Sequence, residues 1–269
     1  MDIFLDLIKQ LREMSGAGMG DCKKALDEAG GKLDLAMEVL RKKGIAKAAK
    51  RSDREAGEGV VKIAVNDRHN EGYMLQVNAE TDFVVRSEKF QAFTQAAIDA
   101  AKVSRPENLA ALLSLAMNGS TVGETLANLS GIVGEKMEII RYDMVTSAGT
   151  VASYSHDFGR IGVLVALDKS GIEDLAREIA MQVAAANPKY IDIAEVPAVE
   201  TDKEKEIYAE QLAKEGKPQA MVEKIITGKL AKYFEEVCLV KQEYIKDDKK
   251  KVSDILSGSK VEKFIRFAV

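Results

Sequence analysis

Apolar residues recur with a helical period through the first 44 residues of this 269-residue chain. They lie at i, i+3, i+4 and i+7 in three successive stretches, the spacing of helices with one buried face. The stripes are Phe4, Leu7, Ile8 and Leu11, then Cys22, Ala25, Leu26 and Ala29, then Leu33, Ala36, Met37 and Leu40. The pattern predicts a three-helix bundle whose last two helices end at Gly30 and Gly44.

Two copies of a strand–turn–strand–helix unit follow a charged stretch. The first has strands at 59–65 and 72–78 around a polar turn, and a helix at 90–102. The second has strands at 149–154 and 161–167 around a polar turn, and a helix at 172–186. Between them lie helical segments at 106–118 and 121–133 and a strand at 137–145. Two hairpins with segregated helices predict an α+β core with antiparallel strands.

Residues 187–234 are typical of two long helical segments, separated by Gly216, Lys217 and Pro218. The first segment is too polar for a core, so we expect a protruding antiparallel helical hairpin. Strand-like segments at 237–245 and 263–269 close the chain. The predicted domains are a bundle with a basic linker (1–52), a first core subdomain (53–145), a second core subdomain (146–186, completed by 235–269) and the hairpin (187–234).

Composition narrows the function classes. A net charge of −4 and a pI of about 5.5 argue against a general nucleic-acid binder. Cys22 and Cys238 lie far apart without a CxxC motif, which favours a reduced cytoplasmic location over a disulfide framework or a zinc site. No apolar run approaches the roughly 18 residues of a membrane helix, and the N-terminus lacks the features of a signal peptide.

The candidate catalytic and nucleotide-binding motifs lack the sequence context that these functions require. The glycines at 16, 18 and 20 follow a helix and precede Asp21, which is the wrong context for a phosphate loop. His69 and His156 fall in equivalent turns, and no nucleophile elbow is present. We therefore expect no enzyme activity, no cofactor, no metal and no nucleotide bound directly by this chain.

One segment of the first repeat has no counterpart in the second. Between strand and helix the second repeat has only residues 168–171, an ordinary turn, whereas the first has residues 79–88. Thr81 is expected to cap the next turn by accepting from an N–H near Val84, which would present Asp82 and Phe83 at the sheet rim. The alternative places Phe83 in the core and makes Asp82 a second cap. The extra length favours contact with another molecule.

The basic residues between Arg41 and Arg54 admit two interpretations. They form either a solvated connector or a surface for RNA or an acidic partner. The second would make the chain a ribosome- or RNA-associated binding protein whose binding depends steeply on salt.

Four segments together resemble the bacterial elongation factor Ts family: LREMSGAGMGDCKKAL (11–26), VNAETDFV (77–84), RIGVLV (160–165) and FIRF (264–267). The resemblance implies a ubiquitin-associated-like bundle, two core subdomains and a hairpin through which a dimer forms. It also implies a guanine nucleotide exchange factor for elongation factor Tu, the GTPase that delivers aminoacyl-tRNA. Both GDP-bound and nucleotide-free Tu are then partners.

The family's TDFV segment matches Thr81, Asp82, Phe83 and Val84. The resemblance implies that Asp82 and Phe83 enter the G domain of Tu and disturb its Mg²⁺ site, which promotes GDP release. Some members carry Cys-Gln or Cys-Glu before this segment, and the pair Ala79 and Glu80 of this chain is expected to be a neutral difference.

The resemblance assigns four further contacts to Tu. Met19 matches a methionine that touches the G domain from the bundle. Val133 and Gly134 match a loop that contacts Tu near the TDFV segment, and His156 matches a core position that faces Tu.

Overall fold

Three helices form the N-terminal part of the computed structural model, which describes residues 2–215 and 218–269. They are α1 (Asp2–Ser15), α2 (Met19–Glu28) and α3 (Leu33–Ala49). The predicted stripes meet in one cluster, in which Leu11, Cys22, Leu26 and Ala36 are fully buried. The bundle therefore has a small apolar core of its own.

Helix α3 does not end at Gly44, so that part of the prediction is wrong. It continues to Ala49 and packs against α7 (Val122–Val133). A Cβ added at Gly131 would lie 2.4 Å from the Cα of Gly44, so only glycines allow the two helices to approach this closely. The basic stretch contributes as well, because Arg41 pairs with Glu124. The bundle is docked on the core and does not hang from a free linker.

The remaining elements of the first core half are β1 (Glu58–Val65), β2 (Glu71–Ala79), α4 (Asp82–Arg86), α5 (Glu88–Ser104), α6 (Leu109–Ser114), β3 (Ala116–Met117), β4 (Ser120–Thr121) and β5 (Met137–Thr146). Those of the second half and the hairpin are β6 (Thr150–His156), β7 (Ile161–Leu167), α8 (Glu173–Ala186), α9 (Ala198–Lys214), α10 (Gln219–Val237), β8 (Glu243–Tyr244), β9 (Asp247–Lys251), α11 (Val252–Ile255) and β10 (Val261–Ala268). Short 3₁₀ turns lie at Asp157–Gly159, Ile193–Glu195 and Leu239–Lys241. The strand predicted at 237–245 is thus a helix end, a turn and a two-residue strand.

Each repeat builds a three-stranded antiparallel sheet with the same order. The first is β1-β2-β5 and the second is β6-β7-β10, with the second strand of each repeat at the centre. The third strands also match, because Met137 pairs with Ala79 at the end of β2 and Val261 pairs with Leu167 at the end of β7. The predicted α+β class with antiparallel strands is confirmed.

The two sheets pack face to face, with helices outside. Their shared layer consists of Val61, Met74, Val145, Val151, Leu164, Ala166, Ile265 and Phe267. Gly72 and Gly162, each the second residue of its central strand, permit the close approach. A Cβ at Gly72 would lie 2.6 Å from Leu164 Cδ2, and one at Gly162 would lie 2.3 Å from Val61 Cγ1. Helix α5 covers the first sheet and α8 covers the second.

Helices α9 and α10 pack antiparallel. Tyr233 donates to Glu200 at one end of the pair, and Lys229 donates to Gln211 further along. The predicted turn residues Gly216 and Lys217 lie outside the described residues. Among the helices that the structure describes, none is both long and apolar enough to cross a membrane.

Candidate functional site

The segment from Thr81 to Val84 projects from the rim of the first sheet. Thr81 caps the short helix α4, accepting from the Val84 N–H at 3.4 Å, as predicted. Val84 turns into the core and is only 8% exposed, while Phe83 is 83% exposed. Asp82 pairs with Arg86 at 3.0 Å along the same helix. The alternative that places Phe83 in the core is therefore wrong.

The carboxylate of Glu135 holds this segment from the neighbouring loop. One oxygen accepts from the Thr81 N–H at 3.0 Å, and the other accepts from the Thr81 hydroxyl at 2.8 Å. The Ser130 hydroxyl donates to the backbone carbonyl of Glu135 at 2.6 Å. Since both oxygens are engaged, the backbone at Thr81 has little freedom to move relative to the end of α7.

Glu80 makes a second link between the same two loops. Its carboxylate accepts from the Lys136 N–H at 2.6 Å and from Arg54 at 3.2 Å. The Lys136 N–H and, more weakly, the Arg54 guanidinium lower the pKa of Glu80 below its ordinary value of 4.5. Glu80 therefore ties the loop that carries Phe83 to the residue just before β5.

Met19 lies in the part of the bundle that borders α7. It is the first residue of α2 and is exposed. The preceding loop is tied to the core, since Lys89 at the start of α5 donates to the carbonyl of Gly16 at 3.1 Å. A shallow cleft between the bundle and α7 is lined by residues that include Ala17, Gly18, Asp21, Gly131 and Ile132. The loop before α2 therefore borders the end of α7 and the start of α5, while Thr81 is joined to the loop after α7.

Val133 and Gly134 end α7 beside Glu135. Val133 is half-buried against the core of the first repeat, so its side chain serves mainly as packing. Gly134 caps the helix in the left-handed region, with φ of 89°. This loop offers a partner its backbone and its surface shape.

His156 is exposed at the hairpin turn of the second repeat. Its ring stacks on Tyr154 with centroids 5.9 Å apart, and Nδ1 lies 3.1 Å from the tyrosine hydroxyl. The turn packs against the first sheet, where Arg160 pairs with Glu58 at 3.2 Å. Glu58 starts β1 opposite Ala79, so His156 lies toward the same end of β1 as the Thr81–Val84 segment.

The exposed side chains of this surface include the ring of Phe83 and the imidazole of His156. In the described ranges 2–215 and 218–269, no cluster of three or more His, Cys, Asp or Glu side chains could hold a metal. Burial raises the pKa of Cys238 to about 11, so this thiol is protonated at neutral pH. What the site offers is an exposed aromatic ring on a rigid support.

Sequence reasoning missed two of the groups that hold the segment, Glu80 and Glu135. Their partners are 56 and 54 residues away along the chain, so no local pattern reveals the bonds. It also missed Phe158, a fully exposed aromatic in a turn whose sequence pattern is otherwise polar. A phenylalanine inside a polar hairpin turn was the available signal.

A rigid scaffold that presents an exposed phenylalanine at its rim is suited to binding another protein. The family model described as "Elongation factor TS" matches residues 80–269. The elongation factor Ts of Chlorobium phaeobacteroides is 46% identical, covering 93% of this chain and 89% of the relative. Those of Chloroherpeton thalassium and Thioalkalivibrio sulfidiphilus are 42% and 41% identical, covering 95% and 100% of this chain and 91% and 92% of the relatives. The chain belongs to the elongation factor Ts family.

Proposed function

We propose that this chain releases GDP from elongation factor Tu by inserting the Thr81–Val84 segment near the Mg²⁺ and phosphate site of that GTPase. Family membership supports the coarser statement, nucleotide exchange on Tu during translation elongation. In the proposal the chain works in the cytoplasm, binds both GDP-bound and nucleotide-free Tu, and makes no covalent bond.

The exposure of Phe83 is the observation that carries the proposal. A phenylalanine ring that is 83% exposed gains nothing from folding, yet its backbone is fixed. The Thr81 cap, the Glu135 carboxylate and the Glu80 carboxylate all restrain it. A partner that buries this ring therefore meets a preorganised anchor, and little binding energy is lost in ordering the loop.

Thermodynamic linkage explains how binding becomes release. If the factor and GDP each weaken the binding of the other, the weakening is the same in both directions. Mg²⁺ is often the largest local charge at a phosphate site, so moving it strongly weakens GDP binding. Each 1.4 kcal/mol of this coupling accounts for about a tenfold change in affinity. No catalytic group on this chain is needed.

Flanking residues would widen the contact. The backbone at Val133 and Gly134 adjoins Glu135, which holds the Phe83 loop, Met19 belongs to the helix whose N-terminal loop borders α7, and His156 lies in the turn that packs near the start of β1. These contacts would add affinity and fix the orientation of the factor on Tu, while Phe83 and Asp82 act on the metal site. We also propose a dimer through the α9–α10 hairpin, where Val199 and Met221 are exposed.

The RNA-binding alternative loses its main support. Arg41 pairs with Glu124, Lys43 with Glu28, and Lys47 with Asp21. Arg54 pairs with Glu80. Because these four cations already face carboxylates within the chain, they are less available to phosphate groups.

The test is release of fluorescent GDP from Tu by the protein and by Phe83→Ala. We expect the variant to slow release at saturating factor about 30-fold, the loss of a 2 kcal/mol anchor. Its unfolding free energy should stay within about 0.5 kcal/mol, since an exposed side chain is removed.

The neighbouring Val84→Ala is the matched stability control. Val84 is buried, so this variant should lose about 2 kcal/mol of unfolding free energy. Phe83→Ala releasing GDP at the unmodified rate would contradict the proposed mechanism. Absence of any release by the unmodified protein would contradict the proposed function itself.

A further inference from the structure

The hairpin turn of the second repeat holds a phenylalanine out in solvent. Asp157, Phe158 and Gly159 have φ values of 50°, 54° and 88°, all in the left-handed region. Side chains other than Gly, Asn and Asp are disfavoured there, and bulky ones most of all. Phe158 is nevertheless 102% exposed. Neither the backbone conformation nor burial explains why this position carries an aromatic ring.

The turn itself is firmly seated. Arg160 pairs with Glu58, and Gly159 lies so close to β1 that a Cβ there would come within 2.6 Å of Val60 Cγ2. The Val269 N–H donates to the Arg160 carbonyl at 3.0 Å. Phe158 therefore projects from a fixed base, as Phe83 does.

Phe158 lines a cleft beside β1. The cleft has a volume of 370 Å³ and is lined by β1 residues 60–63, Gln91, Ser153, Ser155, Phe158 and Gly159. Gln91, which also lines the cleft, donates to the carbonyl of Val85 at 2.7 Å, and Val85 lies two residues after Phe83. The cleft that Phe158 lines is therefore joined by one hydrogen bond to the helix that carries Phe83.

The two rings belong to different layers of the molecule. Helix α4, which carries Phe83, packs on the helix-covered side of the first sheet, while the turn that carries Phe158 belongs to the second sheet. Because their bases belong to different sheets, we expect the two rings to enter separate pockets. Each ring is preceded by an aspartate, Asp82 or Asp157, so each combines an apolar tip with a nearby carboxylate.

We propose that Phe158 is a second aromatic anchor for the same GTPase, seated in an apolar pocket away from the GDP site. This inference rests on the proposed function, because it takes Tu as the partner of the Phe83 surface. In this proposal Phe158 acts away from the metal site and strengthens association in every nucleotide state. Phe158 determines the concentration of factor that is needed to saturate Tu, while Phe83 determines the maximal rate of GDP release.

The test is a titration of Tu with the unmodified protein, Phe158→Ala, Phe158→Asn and Phe83→Ala. Two quantities are read: the dissociation constant for nucleotide-free Tu by calorimetry, and the maximal rate of GDP release. Asn tolerates the left-handed region better than Phe. Phe158→Asn should therefore melt at the same temperature or higher, which a structural role for the ring would not allow. Val103→Ala is the control, because Val103 is 82% exposed at the other end of α5.

We expect both Phe158 variants to raise the dissociation constant about tenfold, as truncation of an interface aromatic does, with the maximal release rate unchanged. Val103→Ala should leave both quantities unchanged. An unchanged dissociation constant in both Phe158 variants overturns the inference while leaving the proposed function intact. Tu binding without GDP release by the unmodified protein overturns the proposed function alone. If Phe158→Asn changes the sedimentation coefficient of the protein without Tu, a second copy covers the ring and the inference is wrong.

Discussion

The two repeats share one hydrogen bond that is not evident from their sequences. In the first, Glu80 follows the central strand and accepts from the N–H of Lys136, just before the third strand. In the second, Asp168 follows the central strand and accepts from the N–H of Lys260, just before its third strand, at 2.7 Å. The bond lengths, the strand order and the pairing at the strand ends all correspond.

The repeats differ in the segment on the C-terminal side of this carboxylate. In the second repeat a short turn leads from Asp168 directly to α8. In the first, the segment with Phe83 is inserted between Glu80 and α5. The insertion begins immediately after a carboxylate that the scaffold already fixes. The protrusion that carries Phe83 therefore occurs in one repeat without any change in how its strands are joined.

The central glycines provide the strongest test of whether the two repeats are equivalent. If they are, each glycine should contribute equally to the stability of the fold. Gly72→Ala and Gly162→Ala should each lower the unfolding free energy by about 2 kcal/mol, because a Cβ at either position overlaps the opposite sheet. Urea denaturation measures the loss. Gly228→Ala is the control: it lies inside α10 with nothing within 4 Å of its added Cβ, and should stabilise by about 0.5–1 kcal/mol. A loss at only one of the two sheet positions would show that the repeats are packed differently.

The shared carboxylates provide a sharper comparison. Glu80→Ala and Asp168→Ala remove equivalent bonds, so both should lower the melting temperature by similar small amounts. Only Glu80→Ala should slow GDP release from Tu, by a few-fold, because only Glu80 adjoins the Phe83 loop. Stopped-flow measurement of GDP release with both variants tests this difference. Equal release rates would mean that Glu135 alone positions the loop.

The smallest expected effect is a pH dependence that belongs to the first repeat. The pKa of Glu80 in the folded protein is lowered by the Lys136 N–H and then by Arg54. Its charge therefore stabilises the fold above the ordinary value of 4.5, and this is lost as the pH falls through the lowered pKa. The melting-temperature difference between the protein and Glu80→Gln should be constant above about pH 5 and shrink below pH 4.5. A difference that grows on acidification would contradict this assignment.

Local patterns were enough to predict the repeats, because alternation in strands and helical stripes depends on near neighbours. They also predicted the Thr81 cap, whose donor is three residues away. The equivalence of β5 and β10 was not predictable in this way, since β5 precedes the second repeat while β10 follows it after the whole α9–α10 hairpin.

Glycine was the residue most easily misinterpreted. Gly44 has the position of a helix C-cap, yet it serves a helix crossing whose other member is Gly131. Nothing near Gly44 in the chain distinguishes the two uses. Phe83 posed a similar problem, because its spacing suits a core position and only the structure shows the ring outside. Residues that act through distant neighbours, or on another molecule, leave no periodic trace.

The reciprocal packing of Gly72 and Gly162 makes the core a covalent pseudo-dimer. Each glycine receives side chains from the other repeat, as in the self-complementary interface of a two-fold symmetric homodimer. Joining the two halves in one chain frees them from the requirement to be identical. A true homodimer would present every surface feature twice, whereas this chain displays Phe83 on one half and Phe158 on the other. A chain with this two-fold architecture can therefore bind an asymmetric partner in a single orientation.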